Sequence, residues 1–326
     1  MTPPAATTRT PLILDTDPGV DDAFALALAC ASEEIDLIAV TSVFGNVPLE
    51  HTTSNALRLL ALCGREDVPV AVGASRPLVH TQPQRARHAH GEDGLSGNAG
   101  TLPARRKGLE PVGAVALMAE LLQSATEPVT IAAIGPLTNV ALLLAAHPEV
   151  HEKIGRLVVM GGGLAGGNIT AGAEFNIWSD PEAARRVLVE EALPTTLVPL
   201  DLTMRCAVDT SWLAELESAG AIGRALVGLT PAYQEHYLQS LGWRGLVLHD
   251  AVAVAEVVRP GILHTEALTV EVECGFGPSR GAVLVDRRTA AVRAVSGGRG
   301  RAVDVAVDTD LESLRGFLLS RLASAS

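Results

Sequence analysis

Short apolar runs alternate with segments of helical periodicity over the first two thirds of the chain. Six runs have the length of buried strands, and each stops at or near a Gly, Asn or Asp: residues 11–14, 35–43, 68–72, 129–134, 157–160 and 196–200. Continuous apolar strands that alternate with helices are typical of a parallel sheet buried on both faces. The pattern therefore predicts an α/β fold with an open, mostly parallel, Rossmann-like sheet and helices on both sides.

The pattern changes towards the C-terminus. Short runs of alternating apolar and polar residues, joined by Gly-containing turns, predict antiparallel strands added to the main sheet: residues 267–275, 282–288 and 291–297. Residues 311–322 predict a closing helix, whereas residues 77–108, rich in His, Gly and Gln, predict a long loop over the ligand site. We expect a single domain over residues 1–326, with flexible residues 1–10.

Open α/β sheets bind their ligands beyond the carboxyl ends of the strands. Four carboxylates lie there, after the first predicted strand and at the start of the next helix: Asp15, Asp17, Asp21 and Asp22. No Lys or Arg occurs between Arg9 and Arg58 to balance their charge. Plain helix capping would explain Asp21 or Asp22 singly but not the whole cluster. Crowded carboxylates share protons or bind a metal, and oxygen-only ligands favour a hard cation, Ca²⁺ or Mg²⁺.

The charge balance narrows the class of ligand. A formal charge of −12 and a pI near 5.2 argue against a nucleic acid or an anionic membrane as the main partner, and favour a small or neutral ligand. The four cysteines are far apart and form no CxxC pair, which disfavours a disulfide framework or a structural zinc. No apolar leader and no long uninterrupted apolar run occur, so we expect a cytoplasmic protein.

Five separated motifs together resemble one known family. They occupy residues 15–23 (DTDPGVDDA), 88–97 (HAHGEDGLSG), 134–139 (IGPLTN), 160–176 (MGGG, then Asn168 and AEFN) and 247–250 (VLHD). In this order, and over essentially the whole chain, they resemble the calcium-dependent nucleoside hydrolases of the inosine-uridine-preferring family. The resemblance implies hydrolysis of the N-glycosidic bond of ribonucleosides to free base and ribose by a homodimer or homotetramer.

The same resemblance implies a bound Ca²⁺ and its ligands. By similarity, Asp15 and Asp22 ligate the ion together with the distant Asp250, and the backbone carbonyl of Ile134 completes the protein ligands. Asp17 corresponds to the general base that activates the attacking water. The ion would orient this water and hold two ribose hydroxyls, which suits a reaction with an oxocarbenium-like transition state.

Further residues correspond to substrate contacts. By similarity the sugar is held by Asp21, Asn46, Met160, Asn168, Glu174, Phe175 and Asn176. His249 is placed beside the leaving base, where an ordinary imidazole pKa suits protonation of the base, directly or through Tyr237. In the purine-specific branch of the family, the position corresponding to His249 resembles a tryptophan instead. The histidine of this chain therefore favours the broader or pyrimidine-preferring branches. His88, in the predicted loop, is a further expected contact, and residues 233–243 concentrate aromatics for a planar base or for helix packing.

Three other interpretations stay open on the sequence alone. A D-x-D after an apolar strand also begins phosphatases of the haloacid-dehalogenase type, but only Lys107 and Lys153 could bind phosphate and neither follows a strand. Residues 161–166 (GGGLAG) have the spacing of a dinucleotide loop, although residues 168–178 show no helical period and a helix is expected only from residue 180. A calcium-dependent nucleoside-binding module without turnover would keep the metal ligands but would not need Asp17 as a base.

Overall fold

A computed structural model of the chain describes residues 9–80, 86–296 and 300–325. Within these residues the strands are β1 (Thr10–Thr16), β2 (Ile35–Ser42), β3 (Val70–Val72), β4 (Val129–Ala133), β5 (Ile154–Met160), β6 (Thr195–Val198), β7 (Val208–Asp209), β8 (Gly245–Leu246), β9 (Leu263–Val272), β10 (Val283–Asp286) and β11 (Arg301–Thr309). Nine of them form one sheet in the order β10-β9-β11-β6-β5-β4-β1-β2-β3, and β7 pairs with β8. The sheet is parallel from β3 to β11 and antiparallel where β9 meets β11 and β10, so the predicted fold class is confirmed.

Helices cover both faces of this sheet. In the described residues they are α1 (Val20–Ala31), α2 (Leu49–Leu62), α3 (Arg87–His90), α4 (Ala114–Ser124), α5 (Thr138–Ala146), α6 (Phe175–Ser179), α7 (Pro181–Arg185), α8 (Leu200–Thr203), α9 (Thr210–Ala219), α10 (Ala221–Gly228), α11 (Pro231–Leu241), α12 (His249–Val258), α13 (Ala290–Ser296) and α14 (Leu311–Ser324). Alternate residues of β1 belong to different cores: Leu12 and Leu14 pack with α1 and α12, and Ile13 packs with α4 and α5. This alternation is why residues 11–14 of the strand are apolar at every position.

The sheet order places one crevice at the centre of the molecule. The chain runs from β1 outwards to β2 and β3, then returns to the other side of β1 as β4. Such a reversal opens a crevice beyond the carboxyl ends of the two strands on either side of it, which is the usual ligand position in open α/β sheets. Here these strands are β1 and β4, and their ends are joined by the Ile134 N–H, which donates to the Asp15 carbonyl at 2.9 Å.

Several local predictions were wrong. Residues 291–296 do not form the predicted strand, since they lie within α13, and residue 297 lies outside the described part. The strand of this region is β11, which pairs with both β9 and β6. Residues 168–178 overlap the short helix α6, which begins at Phe175, earlier than the helix expected from residue 180. The loop predicted for residues 77–108 contains α3 and a 3₁₀ turn at Ala99–Thr101, and its residues 81–85 lie outside the described part. Short Ala/Val runs fit either period, so their neighbours decide between helix and strand.

The predictions for the two ends of the chain can be compared with the described residues. The closing helix is α14, whose first turn is capped by Asp310, which accepts hydrogen bonds from the backbone N–H groups of Glu312 and Ser313. Of residues 1–10, expected to be flexible, residues 1–8 lie outside the described part and Thr10 already opens β1. No helix in the described part has both the length and the apolar character needed to cross a bilayer.

Candidate active site

The acidic cluster lies in the crevice because two helices begin there. β1 ends with Asp15 and Thr16, a Pro-Gly turn follows, and Asp21 and Asp22 lie in the first turn of α1. Asp250 lies in the first turn of α12, which packs beside α1. The structure therefore brings together acids that are more than two hundred residues apart in sequence.

Asp15 and Asp17 differ in how their carboxylates are held. One oxygen of Asp15, Oδ1, accepts hydrogen bonds from Thr41 Oγ1 at 2.5 Å and Asn139 Nδ2 at 2.7 Å. Asp17 Oδ2 accepts one from the backbone N–H of Asn46 at 2.7 Å. The second oxygens, Asp15 Oδ2 and Asp17 Oδ1, are buried and have no hydrogen-bond partner among the described residues. An unsatisfied buried carboxylate oxygen is costly, so both atoms call for a proton or a cation.

Two glycines keep space around Asp17. A Cβ atom at Gly135 would lie 2.5 Å from Asp17 Oδ1, and a Cβ at Gly45 would overlap Asp17 Oδ2. Side chains at either position would displace the carboxylate. The glycine after Ile134 thus lets the loop that follows β4 approach the acid closely.

Asp21, Asp22 and Asp250 form the tightest group of acids. All three are buried, and one carboxylate oxygen from each lies within 4.8 Å of the others. Asp22 also accepts hydrogen bonds from Thr16 Oγ1 at 2.5 Å and from the Gly19 N–H at 2.8 Å. The group includes Asp21, expected from the sequence to bind sugar, rather than Asp15, expected to bind metal.

Burial raises the pKa of every one of these acids. Removal from water brings the pKa of Asp15 to about 7 and that of Asp21 to about 8. The pKa values of Asp17, Asp22 and Asp250 are raised chiefly by burial as well, with neighbouring carboxylates adding to the rise for Asp17 and Asp250. The charge of Asp22 also raises the pKa of Asp21, whereas burial is the cause that raises the pKa of Asp15 and the hydrogen bonds from Asn139 and Thr41 lower it.

The residues present fit a hard divalent cation. The donor set consists of carboxylate oxygens and the carbonyl of Ile134, the chemistry that Ca²⁺ and Mg²⁺ prefer. Among the described residues no Lys or Arg forms an ion pair with these acids or lines the crevice. His90 Nδ1 lies 3.9 Å from Asp21 Oδ1, but burial lowers the pKa of His90 to about 3, so the ring is uncharged at neutral pH. A positive charge from outside the chain would satisfy the orphaned oxygens of Asp15 and Asp17.

A pocket opens above the acids. Twelve of the fifteen site residues expected from the sequence line it: Asp21, Asn46, His88, Ile134, Met160, Asn168, Glu174, Phe175, Asn176, Tyr237, His249 and Asp250. Asp15, Asp17 and Asp22 are fully buried and are not among its lining residues. The motifs seen in the sequence therefore converge on one place in the fold.

The segment between β5 and α6 supplies one wall of the pocket. Glu174 caps α6, because its carboxylate accepts the N–H groups of Gly162, Asn176 and Ile177 at 2.9 to 3.2 Å. Asn176 donates from Nδ2 to the carbonyl oxygen of Ile134 at 3.0 Å. Glu174 thus fixes the backbone that carries Asn176, and Asn176 in turn positions a candidate metal ligand.

His249 is clamped between two hydroxyl groups. Its Nδ1 lies 2.6 Å from Thr203 Oγ1, and its Nε2 lies 2.8 Å from the hydroxyl of Tyr237. The Tyr237 hydroxyl is also 3.4 Å from that of Tyr233. Burial lowers the pKa of His249 to about 3, so the ring is uncharged at neutral pH, unlike the ordinary imidazole expected from the sequence.

The family of the chain follows from comparison with known proteins. The model of the inosine-uridine preferring nucleoside hydrolase family matches residues 12–315. The chain belongs to this family. It is 39% identical over 317 residues to the pyrimidine-specific ribonucleoside hydrolase RihA of Salmonella enteritidis PT4, covering 96% of this chain and 98% of the relative. A RihA from Enterobacter sp. strain 638 is 40% identical over 321 residues, covering 97% and 98%.

Solved nucleoside hydrolase structures agree with this assignment. A plant nucleoside hydrolase and the purine-preferring ribonucleoside hydrolase from Gardnerella vaginalis each match with a TM-score of 0.88 and 29% identity, over 97% of this chain and 99% of theirs. The predicted family is therefore confirmed. As a nucleoside hydrolase, the chain is an enzyme that cleaves the N-glycosidic bond of ribonucleosides.

The alternatives raised by the sequence lack structural support. In the described residues of this nucleoside hydrolase, no helix begins until Phe175 after the GGGLAG segment, so a dinucleotide loop is not formed. Lys107 donates to the backbone carbonyl of Asp67 and Lys153 to that of Ala125, and neither lines the pocket. Phosphate chemistry would therefore lack its cation.

Sequence reasoning missed several residues that shape the nucleoside hydrolase pocket. His90 lines it and accepts the Val20 N–H at 3.0 Å through Nδ1, which ties α3 to the start of α1. Asp93 holds the turn after α3 by accepting the N–H groups of Leu95, Gly97 and Ala99. Tyr233 could have been found by its spacing, since it lies four residues before Tyr237 on one face of α11. Nothing in the sequence indicated Thr203.

Proposed function

We propose that this nucleoside hydrolase works with a bound Ca²⁺ and that Asp17 takes the proton from the attacking water. The observation that carries the proposal is the set of five buried acids whose charge no basic residue of the described chain balances. A ribonucleoside would bind in the pocket above them. Free base and ribose would be the products.

The contacts of Asp17 suit a general base. The Asn46 N–H holds Oδ2, so Oδ1 is the oxygen left to accept a proton. Burial and the nearby acids raise the pKa of Asp17, and a carboxylate with a raised pKa is a stronger base towards water. Gly135 leaves room beside Oδ1.

The proposed ligands of the ion are Asp15, Asp22, Asp250 and the carbonyl oxygen of Ile134. When bound, the ion would lower the pKa of a water molecule and fix the sugar hydroxyls. Asp22 is held by Thr16 and the Gly19 N–H, which keeps its carboxylate aimed at Asp250. Asp15 offers only Oδ2, because its other oxygen already accepts two hydrogen bonds.

The pocket walls would bind the sugar and the base. Asp21, Asn46, Met160, Asn168, Glu174, Phe175 and Asn176 are proposed as sugar contacts, since all of them line the pocket above the acids. The rings of His88 and His236 meet edge to face, with centroids 5.2 Å apart, and His236 also contacts Tyr237. These rings would form the wall of the pocket beside the base. The hydroxyl of Tyr237 and Nε2 of His249 are the atoms proposed to move a proton to the departing base.

Base preference is best tested with pyrimidines first. The RihA relatives named as pyrimidine-specific are 39 to 40% identical to this chain, whereas the purine-preferring enzyme from Gardnerella vaginalis is 29% identical. His249 in place of a tryptophan points the same way. We therefore propose uridine and cytidine as substrates, with inosine and adenosine as the comparison.

Release of reducing sugar from a ribonucleoside panel, with and without chelator, tests the proposal. We expect turnover that stops when the metal is removed and returns when Ca²⁺ is added. Elemental analysis should find one Ca²⁺ per chain. If the metal-free protein cleaves uridine at its full rate, the proposed role of Ca²⁺ is wrong. If the protein binds nucleosides but cleaves none, it is a nucleoside-binding module without turnover.

Two matched variants distinguish the proposed general base, Asp17, from a proposed metal ligand, Asp15. Asp17→Asn should keep the fold and lower kcat by about 10²- to 10⁴-fold, because an amide cannot accept the proton of water. Asp15→Asn should instead weaken the affinity for Ca²⁺. If calorimetry shows that Asp17→Asn loses Ca²⁺ while Asp15→Asn retains it, the two assignments must be exchanged.

The assembly and the location are also proposals. We propose a homodimer or homotetramer, which light scattering of the purified chain would show as two or four times 33.8 kDa. We propose the cytoplasm as the location, in keeping with four cysteines that are all free thiols. Fractionation of producing cells would test it.

A further inference from the structure

Thr203 contacts the candidate proton-transfer group without reaching the substrate pocket. It ends α8, the helix that follows β6, and its side chain is fully buried. Its hydroxyl oxygen lies 2.6 Å from Nδ1 of His249 and 3.3 Å from the carbonyl oxygen of Leu200. His249 and Tyr237 line the pocket, whereas Thr203 does not. Any effect of Thr203 on the reaction therefore passes through the His249 ring.

The two nitrogens of the His249 ring have different hydrogen-bond partners. At Nε2 the partner is the hydroxyl of Tyr237, 2.8 Å away and facing the pocket. At Nδ1 the partner is Thr203, and it is the one hydrogen bond that the described residues make to this atom. A buried ring nitrogen without a partner costs free energy, so loss of the Thr203 hydroxyl would favour rotation of the ring or a change of tautomer.

The hydroxyl can serve His249 in either tautomer, since it both donates and accepts. When Thr203 donates to Nδ1, the ring carries its proton on Nε2 and donates to Tyr237, which then donates to Tyr233. When Thr203 donates to the Leu200 carbonyl, the ring donates from Nδ1 and accepts from Tyr237 at Nε2. Both arrangements keep the short contacts of the ring to Thr203 and Tyr237, at 2.6 and 2.8 Å. They differ in which of the two longer hydrogen bonds is made, that from Thr203 to the Leu200 carbonyl or that from Tyr237 to Tyr233.

We propose that Thr203 is a positioning residue that fixes the orientation of the His249 ring in either tautomer, and so holds Nε2 at hydrogen-bond distance from the Tyr237 hydroxyl. The catalytic consequence rests on the proposed function. Because the Thr203 hydroxyl can donate or accept, its contact with Nδ1 is kept in either tautomer of the ring.

The kinetic test uses leaving groups that differ in their need for a proton. Thr203→Val removes the hydroxyl and keeps the shape, Thr203→Ser keeps the hydroxyl, and Thr195→Val is the control. Thr195 is also a buried threonine, but its hydroxyl donates to the carbonyl of Leu193, away from the pocket. We expect Thr203→Val to lower kcat for uridine by about 10- to 100-fold through misplacement of the ring. Turnover of p-nitrophenyl riboside, whose leaving group departs as a stable anion, should change little.

Two further measurements show whether the effect passes through His249. Thr203→Ser should recover most of the activity on uridine, and adding Thr203→Val to His249→Ala should cause no further loss. Equal losses on both substrates, or independent losses in the double variant, would overturn the inference.

The ring itself gives a readout that does not depend on turnover. In protein labelled with ¹⁵N at histidine, His249→Ala identifies the two ring signals of His249. Thr203→Val should move both signals, and Thr203→Ser and Thr195→Val should leave them in place. If Thr203→Val leaves the ring signals unchanged, the inference fails, whereas absence of nucleoside cleavage by the wild type would refute the proposed function alone.

Discussion

Removal of the metal should make the stability of the protein depend strongly on pH. Burial raises the pKa of Asp15 from 3.8 to about 7 and that of Asp21 from 3.8 to about 8 in the metal-free fold. Between pH 4 and pH 8 the folded chain therefore binds more protons than the unfolded chain. The free energy of unfolding then falls as the pH rises, the reverse of the usual behaviour of carboxylates held by a cationic partner.

The size of the effect follows from these two residues. One pKa unit corresponds to about 1.4 kcal/mol, so Asp15 alone should lower the free energy of unfolding by on the order of 4 kcal/mol between pH 4 and pH 8. A bound cation offsets this loss, and its whole contribution is about 2.7 kcal/mol when its concentration is a hundred times its Kd at that pH. Because protons compete with the cation, its Kd rises and its contribution falls as the pH is lowered.

Urea unfolding of metal-stripped and Ca²⁺-loaded protein at pH 5, 6.5 and 8 measures the difference. We expect the gap between the two midpoints to widen with pH. Asp21→Asn should narrow the gap at pH 8, and Asp36→Asn, at an exposed position of β2, should not. A gap of the same size at pH 5 and pH 8 would show that the buried acids are not coupled to the ion.

Three further predictions concern the reaction. His249→Ala should lower kcat strongly for uridine and weakly for p-nitrophenyl riboside with Ca²⁺ content unchanged, and equal losses would assign His249 to the sugar or the metal. If two ribose hydroxyls bind the ion, 2'-deoxyuridine should be a poor substrate, which a kcat/KM comparable to that of uridine would contradict. Gly135→Ala should lower kcat by more than about tenfold because its methyl group would collide with Asp17 Oδ1. Gly316→Ala, where a Cβ meets no atom within 4 Å, is the control.

The parallel part of the fold could be predicted because each strand is buried on both faces. Residues 129–134 are apolar at every position except Thr130 and are all buried, and only the centre of a covered sheet calls for that pattern. The C-terminal strands have one exposed face, and there the pattern becomes ambiguous. Residues 291–296 and β11 are both rich in Ala and Val, yet the first segment is helical and the second pairs with two strands.

The candidate site was predictable where residue type carries the chemistry. Clustered acids in D-T-D-P-G-V-D-D are rare enough to signal a cation, whatever the fold. Residues that act through their position in the fold give no such signal in the sequence. Thr203 resembles any buried threonine in the sequence, and its contact with His249 spans 46 positions of the chain.

The balance of energies in the crevice shows what these acids would need in order to be ionised together. Asp21 and Asp22 lie in the first turn of α1 and Asp250 in the first turn of α12, so two helix N-termini favour their negative charge. Each terminus contributes about 0.3 to 1 kcal/mol, and about 2 kcal/mol at most when partly buried. The rise in pKa of Asp21 to about 8, caused first by burial, corresponds to on the order of several kcal/mol for that residue alone. The helices therefore cannot hold the group ionised, and a divalent cation is the remaining charge that could keep these carboxylates deprotonated at neutral pH.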